Sequence, residues 1–328
     1  MKDFARSDDP AVQAQLDRLA ALSIPEGRLG LDTIRALLDR LGNPHHRLPP
    51  VFHVAGTNGK GSTCANLRAM LEADGKRVHV ATSPHLVRYN ERIRIAGTLI
   101  EDAQLAALLA EVLDAGEDLN PSFFEVTIAA TFLAFARTPA DACVIEVGLG
   151  GRFDATNVLG SHVLAACGIA ALGIDHERFL LAPEDGTPTD PMARIAFEKA
   201  GIAKPGVPLV TLSYPESAAL EIERAGTRAG HQYNLLGHIG ANNSGVVVEP
   251  YLITLSEESD TFETFQHEGI ELLYILEGEV GYRHGDQSFH LRPGDSLFFD
   301  ADAPHGPDEL IRLPIRDLSV ISYPQGGG

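Results

Sequence analysis

Apolar positions in the first two thirds of the chain fall into helical and strand periods by turns. Leu16, Leu19 and Leu22, then Ile34, Leu37, Leu38 and Leu41, stand at helical spacing, which predicts amphipathic helices over 10–22 and 31–41. The short apolar run Val51-Phe-His-Val54 reads as a strand, and Cys64 to Ala73 resumes a helical pattern. Val78-His-Val-Ala81, Ala142-Cys-Val-Ile-Glu-Val147, His162 to Ala171 and Val207-Pro-Leu-Val-Thr-Leu212 read as further strands. Residues 102–115 are Ala/Leu-rich and helical. Ser122-Phe-Phe-Glu125 has capping-box spacing for a helix to about Arg137. Asp190-Pro191 sets an N-cap before proline, opening a helix to about Ala200. Strands alternating with helices predict an α/β domain whose mainly parallel sheet carries helices on both faces.

The period changes near residue 231. Val246–Leu255, Glu271–Leu276, Glu279–Arg283, Ser288–Leu291, Ser296–Phe299 and Leu318–Ser322 follow one another as strands. Glu277-Gly278, His284-Gly285-Asp286 and Arg292-Pro-Gly-Asp295 supply turns between them. No helical period persists, so this part reads as an all-β closed barrel or jelly roll. Gly237 to Gly245 is polar and glycine-rich and reads as a linker or entry loop. The expected domains are therefore 1–230 and 231–328.

Composition adds compartment and partners. A net charge of −19 argues against nucleic acid or an anionic membrane as partner. The charge is uneven: residues 249–328 hold sixteen acidic and four basic side chains, and no lysine follows Lys204, as for two parts of different history. Cys64, Cys143 and Cys167 show no pairing logic, and the N-terminus has no apolar signal core, so a cytoplasmic protein is expected.

The strongest chemical signal is Val54-Ala-Gly-Thr-Asn-Gly-Lys-Gly-Ser-Thr63, set between strand and helix. Gly56, Gly59 and Gly61 permit a tight turn that aims backbone N–H groups at an anion, with the positive end of the helix dipole behind them. Thr57, Asn58 and Thr63 complete the loop; Lys60 suits outer phosphates and Ser62 offers a hydroxyl to Mg²⁺. The spacing departs from the common phosphate loop in the glycine between Lys60 and Ser62. Glu146, at a strand end before a glycine turn, is either a salt-bridge partner or a metal ligand, and His176 with Ser62 completes a possible metal set. A surface or capping role is the plain alternative for His176. Glu125 reads as the capping partner of Ser122.

Five ordered motifs carry a family resemblance. They are Ala55-Gly-Thr-Asn-Gly-Lys-Gly-Ser-Thr63; Ser83-Pro-His-Leu86 with Asn90-Glu-Arg-Ile93; Ile145-Glu-Val-Gly-Leu-Gly-Gly-Arg-Phe-Asp-Ala-Thr-Asn157; Asp175-His176; and Ile195-Ala-Phe-Glu-Lys-Ala-Gly201. Residues 10–230 thereby resemble the N-terminal ATPase portion of bifunctional folylpolyglutamate synthase/dihydrofolate synthase, in the Mur ligase family. The resemblance implies an ATP-dependent carboxylate–amine ligase, which activates a pteroate or folyl-glutamate as an acyl phosphate and joins L-glutamate to it. It implies ATP held by residues 56–63, catalytic roles for Lys60, Glu146, His176 and Lys199, and Mg²⁺ held by Ser62 and Glu146, with His176 at a second metal position. It also implies that Lys199 is carbamylated, the alternative being an unmodified surface lysine. Ser83, Pro84, His85, Asn90, Arg92 and Asp154 would lie against the pterin substrate. The family's remaining ATPase segment and C-terminal ligase domain find no match in this sequence. Ligation is thus expected to be impaired, since positioning supplies roughly 7–11 kcal/mol of such bimolecular chemistry.

Phe265-Gln-His-Glu-Gly-Ile-Glu271 with Gly278, and Leu291-Arg-Pro-Gly-Asp295 through Pro304-His305, resemble the two cupin motifs. The resemblance over 231–328 is to the sensor cupin of helix-turn-helix/cupin regulators, without a DNA-reading helix pair before it. Phe265 replaces the first motif histidine. His267, Glu271 and His305 remain as a two-histidine, one-carboxylate set for Fe²⁺, Mn²⁺ or Zn²⁺. A metal-free barrel binding a small ligand, or none, is the alternative, and this part is a candidate for dimerisation. Three readings stand: a ligase portion with ATP and Mg²⁺ sites; a ligand- or metal-binding cupin beside a vestigial phosphate loop; and a fusion near 225–245 with no joint function.

Overall fold

The computed structural model describes residues 6–22, 30–229, 231–235, 246–256 and 264–324. The chain forms two compact units, Met1–Ile202 and Ala203–Gly328.

The first unit runs α1 (Pro10–Ala21), α2 (Asp32–Arg40), β1 (Val51–Ala55), α3 (Lys60–Ala73), β2 (Val78–Ala81), β3 (Ile93–Ile95), β4 (Thr98–Leu99), α4 (Asp102–Gly116), α5 (Phe123–Arg137), β5 (Ala142–Glu146), β6 (Leu164–Ile169), α6 (Glu177–Leu180) and α7 (Pro191–Ala200). β2, β5, β1 and β6 lie side by side and parallel, as expected, and β3 and β4 extend the β2 edge antiparallel. Successive strand residues face opposite ways. Phe52 and Val54 of β1 therefore pack with Val78, Val80 and Val144 under Cys64, Leu67 and Leu71 of α3. His53 faces the other way and hydrogen-bonds the Thr156 hydroxyl at 2.8 Å.

The caps form as the sequence dictates. Ser122 and Glu125 make the reciprocal box on α5, with Ser122 N–H donating to Glu125 Oε2 at 2.7 Å. Asp190 Oδ1 accepts from Ala193 N–H at 2.9 Å and Pro191 opens α7. This architecture brings the ends of β1 and β5, and so the glycine loop and Glu146, to the carboxyl edge of the sheet.

The second unit contains β7 (Leu209–Thr211), α8 (Glu216–Ala229), β8 (His231–Leu235), β9 (Val246–Leu255), β10 (Ile270–His284), β11 (Gln287–Leu291), β12 (Ser296–Asp300) and β13 (His305–Pro324). β7 pairs in parallel with β8, and β8 antiparallel with β9, so the compact unit begins earlier than the sequence pattern at 230/231 suggests. The linker read over Gly237 to Gly245 lies outside the described residues.

Two local readings change here. Glu277-Gly278 is a bulge inside one continuous strand, not a turn: β13 pairs along β10 on both sides of it, with register shifts at Glu277 and Glu279. Gly278 has φ +81, and a Cβ there would stand 2.4 Å from the Pro314 carbonyl oxygen. β13 also begins at His305, well before the expected Leu318.

β10 organises the unit. Its first part, Ile270–Tyr274, pairs with β12, its last, Val280–His284, with β11, and β13 backs both. The interior between them is lined by Leu255, Leu273, Ile275, Val280, Tyr282, Leu291, Phe299 and Ile315. Among the described residues no helix is long and apolar enough to cross a membrane. Cys64, Cys143 and Cys167 are free and buried, and burial pushes the Cys64 thiol up to about 12.

Candidate nucleotide and metal sites

The loop between β1 and α3 is fixed at its first half and open in chemistry at its second. Gly56 has φ +147, and a Cβ on it would meet the Ala170 Cβ at 2.9 Å. The Thr57 and Asn58 amides donate to the Ala171 carbonyl at 2.8 and 3.1 Å. Thr57 Oγ1 donates to the Gly173 carbonyl at 2.8 Å and accepts from Gly173 N–H at 3.1 Å. These bonds staple the loop to the segment after β6, so the Thr57 and Asn58 amides already have acceptors within the fold. Gly59, with φ +81, starts α3, whose first-turn amides have no acceptor inside the helix. Those amides, from Lys60 to Ser62, are the donors that helix geometry offers to an anion. Thr63 Oγ1 donates back to the Gly59 carbonyl at 2.9 Å.

Two ammonium groups converge on the Gly56 carbonyl oxygen. Lys60 Nζ donates to it at 2.9 Å and Lys199 Nζ at 3.2 Å. Lys199 is 1% exposed, so it is not the surface lysine of the plain reading. Burial pushes its pKa down, Asp175 opposes that fall, and the charge of Lys60 adds to it. Asp175 Oδ1 lies 3.6 Å from Lys199 Nζ. That oxygen is buried without a hydrogen bond. His176, at φ +47 before α6, has Nε2 4.0 Å from Asp175 Oδ2 and is more exposed than Asp175. Thus Asp175 ties the His176 corner to Lys199 on α7, a link that only the adjacency of Asp175 and His176 hints at in the sequence.

Glu146 closes the opposite side. Its carboxylate accepts from Ser83 N–H at 3.1 Å. A Cβ on Gly61 would stand 3.9 Å from Glu146 Oε2, so the carboxylate lies against the first turn of α3. Burial raises its pKa, Ser83 N–H, Lys60 and Arg92 lower it, and Asp154 raises it again. A buried carboxylate with this balance gains from a cation. Among the described residues, though, no three His, Cys, Asp or Glu ligand atoms cluster around Glu146 or His176 within 4.8 Å of one another.

The expected substrate residues divide by what their polar groups already hold. Arg92, 3% exposed, donates from Nε to His85 Nδ1 at 2.9 Å, its guanidinium 5.5 Å from the Tyr89 ring centre and 5.7 Å from that of Phe123. Asn90 Nδ2 donates to the Ile100 carbonyl at 2.9 Å and to Asp102 Oδ1 at 2.8 Å, which anchors the loop. Glu91 accepts from the Leu86, Val87 and Arg88 amides, and Leu86 and Val87 stand exposed beside Pro84. Asp154 Oδ2 accepts from Leu149 N–H at 2.8 Å and Oδ1 from the Thr156 amide and hydroxyl, so its carboxylate shapes the glycine turn after Glu146. That turn is held to α7 by a network the sequence does not announce. Arg152 pairs with Glu184 at 2.6 Å and Glu198 at 2.7 Å, and Arg194 with the same two at 3.1 and 2.8 Å.

In the second unit the structure brings His267, Glu271 and His305 together, with one ligand atom from each inside 4.8 Å. Glu271 Oε2 lies 3.5 Å from His267 Nε2 and 3.3 Å from His305 Nε2. His267 Nδ1 faces the Glu268 carbonyl at 3.2 Å and His305 Nδ1 the Ala303 carbonyl at 2.9 Å. A carbonyl only accepts, so each Nδ1 carries its proton, and an unprotonated Nε2 then presents a lone pair toward Glu271. Ser319 Oγ donates to Glu271 Oε1 at 2.6 Å. These are the outer contacts that orient metal-binding imidazole and carboxylate groups. Phe265, where a further histidine would be sought, has its ring 6.4 Å from that of His305.

Comparison with known proteins agrees with both halves. A family described as Cupin domain matches residues 251–309. Dihydrofolate synthase/folylpolyglutamate synthase of Bacillus subtilis is 41% identical over 203 residues, 60% of this chain and 44% of that protein. The solved E. coli FolC in complex with DHPP and ADP superimposes with TM-score 0.59 at 29% identity, covering 74% of this chain and 55% of that one. A bifunctional folylpolyglutamate synthase/dihydrofolate synthase with Mn, AMPPNP and L-glutamate bound gives TM-score 0.57 at 30% identity over 76% of this chain and 57% of that one. The chain thus spans less than half the length of the curated relative and little more than half of the solved ones. Its N-terminal part is similar in sequence and fold to the folylpolyglutamate/dihydrofolate synthases, with a Mur-ligase-like α/β domain, and residues 251–309 match the Cupin domain family.

Proposed function

We propose that the N-terminal unit binds ATP with Mg²⁺ and serves ATP-dependent joining of L-glutamate to a pteroate or folyl-glutamate, with weak turnover in this chain. The convergence of Lys60 and Lys199 on one carbonyl, with Glu146 against Gly61, carries the reading. The Lys60 ammonium and a helix N-terminus call for a polyanion, and a buried carboxylate beside them calls for a divalent cation. Ser62 and Glu146 would hold that cation, and His176, reached through Asp175, a second. When bound, that cation would supply charge neutralisation for phosphoryl transfer to the substrate carboxylate, and Lys60 would supply the same from the protein side. The glutamate amine needs positioning besides, to which the matched portion contributes a part.

A fluorescent ATP analogue titrated onto the full chain is expected to bind about tenfold more tightly with Mg²⁺ than without. Glu146→Gln is expected to remove that Mg²⁺ dependence while leaving metal-free binding in place. Glutamate-dependent phosphate release with dihydropteroate or tetrahydrofolate is expected near background; robust turnover would contradict the impaired reading.

A second activity is supported by a separate observation. Both Nδ1 atoms of His267 and His305 are held by backbone carbonyls, which favours a transition metal at their Nε2 atoms with Glu271. The cupin unit is accordingly read as a metal-binding small-molecule module. No nucleic-acid or membrane partner is proposed for the chain, and a cytoplasmic location is.

A further inference from the structure

The cupin interior holds a cavity of about 330 Å³. Its walls are aliphatic and aromatic for the most part, with Ile253, Leu273, Ile275, Val280 and Tyr282 among them. The polar side chains that line it include His267, Glu271, His305, Asp317 and Ser319. His267, Glu271 and His305 form the cluster described above, and Ser319 is committed to Glu271. Asp317 is different. It is 5% exposed, lines the same cavity, and its Oδ2 is buried without a hydrogen bond.

Its place is fixed by register. On β13, Asp317, Ser319 and Ile321 face the same way, opposite Ile275, Leu273 and Glu271 of β10. Asp317 therefore stands two residues, about 7 Å, along the strand from Ser319, away from the histidine end. On its other side it faces Ile253 of β9. Arg316, its neighbour in sequence, faces outward and pairs with Glu223 of α8 at 3.8 Å. A lone carboxyl among isoleucines is a costly arrangement unless something completes it.

We propose that this cavity binds a small, mainly apolar organic molecule through one hydrogen-bond acceptor, a carbonyl or equivalent oxygen, placed against the carboxyl of Asp317. Burial, and next the negative charge of Glu271, hold Asp317 well above the usual carboxylate range, which favours the protonated, donating form. The O–H then has an acceptor and the aliphatic walls have a body to cover, as in ligand sites where few polar groups fix orientation. A cavity of this volume lies at the small end of such sites and suits a single-ring or short-chain molecule. The inference rests on reading the cupin unit as a small-molecule module; it does not need the metal.

Acetophenone and ethylbenzene test it, since they share an apolar body and only the first carries an acceptor. Binding of each to the full chain is read by ligand-observed NMR in chelator, so that failure of the metal reading leaves the result intact. Acetophenone is expected to bind about tenfold more tightly than ethylbenzene. Asp317→Asn, which keeps a donor, should retain the preference, and Asp317→Leu should abolish it while still binding ethylbenzene. Equal binding of the two probes to the unaltered chain, binding of neither, or an unchanged preference in Asp317→Leu would overturn the proposal. Should Asp317→Leu fail to fold, the comparison of probes on the unaltered chain and on Asp317→Asn decides alone. Metal content of the Asp317 variants after loading should match the unaltered chain, which separates this residue from the His267, Glu271 and His305 set.

Discussion

Glu198→Ala is expected to destabilise the N-terminal unit by about 3 kcal/mol, the largest effect of a single substitution away from its core. Glu198 and Arg194 have side chains only 5% and 6% exposed, and both arginines of the network meet at this carboxylate. Removing it leaves Arg194 buried with Glu184 as its remaining carboxylate partner. The surviving pair keeps the effect at the low end of the roughly 3–5 kcal/mol seen when a buried ion pair is broken. Arg152 N–H also donates to the Glu198 backbone carbonyl at 2.7 Å, so the glycine turn behind Glu146 stays tethered to α7 in the variant. For a unit of this size the midpoint of thermal unfolding should fall by about 6–12 °C, measured by calorimetry. An unchanged midpoint would show that the four charges are solvated in solution.

His305→Ala is expected to weaken Zn²⁺ or Mn²⁺ binding by about a hundredfold or more, read by competition against a chromogenic chelator. His305 is 1% exposed and opposes Glu271 across the cluster. The pH dependence has a definite sign. Burial lowers the His305 pKa, but the hydrogen bonds to Glu271 and to the Ala303 carbonyl outweigh it and the net shift is upward. Burial raises Glu271, and the bonds from His305 and Ser319 outweigh that, so its net shift is downward. Without metal, the ion pair stabilises the fold where His305 is protonated and Glu271 ionised. The histidine part is full below its unfolded pKa and lost as pH rises through its raised folded value. The glutamate part is full above its unfolded pKa and lost as pH falls through its lowered folded value. A metal must displace the His305 proton, so its affinity should begin to fall, on acidification, at a higher pH than for an ordinary imidazole site. Metal affinity flat through that range would rule out His305 as a ligand.

Much of this was legible in the chain because local chemistry decided it. Ser122 with Glu125, and Asp190 with Pro191, capped helices as their spacing required, and the glycine run between Val54 and Thr63 turned from strand to helix. His267, Glu271 and His305 met although His305 lies far along the chain, because the two cupin motifs fix both ends. What stayed hidden depended on distant partners. The Thr57 and Asn58 amides look available to phosphate until Ala171, on the segment after another strand, is seen accepting them. Nothing in the motifs shows that Asp154 also accepts from the Leu149 amide or that Asn90 also donates to the Ile100 carbonyl. Glu277-Gly278 has the composition of a turn, but pairing with β13 on both sides made it a bulge. β13 runs through Pro307 and Pro314, with register shifts along its pairing to β10. Asp317 gave no sign in the sequence, because an aspartate between Arg316 and Leu318 looks like any exposed strand residue.

Isothermal titration of the full chain with ATP in the presence of Mg²⁺, repeated on Lys60→Ala, tests the nucleotide reading most directly. Saturable one-site binding weakened roughly 10–100-fold by the substitution is predicted, as for the loss of a charged donor to phosphate. No heat of binding to the unaltered chain, or equal affinity in Lys60→Ala, would contradict it.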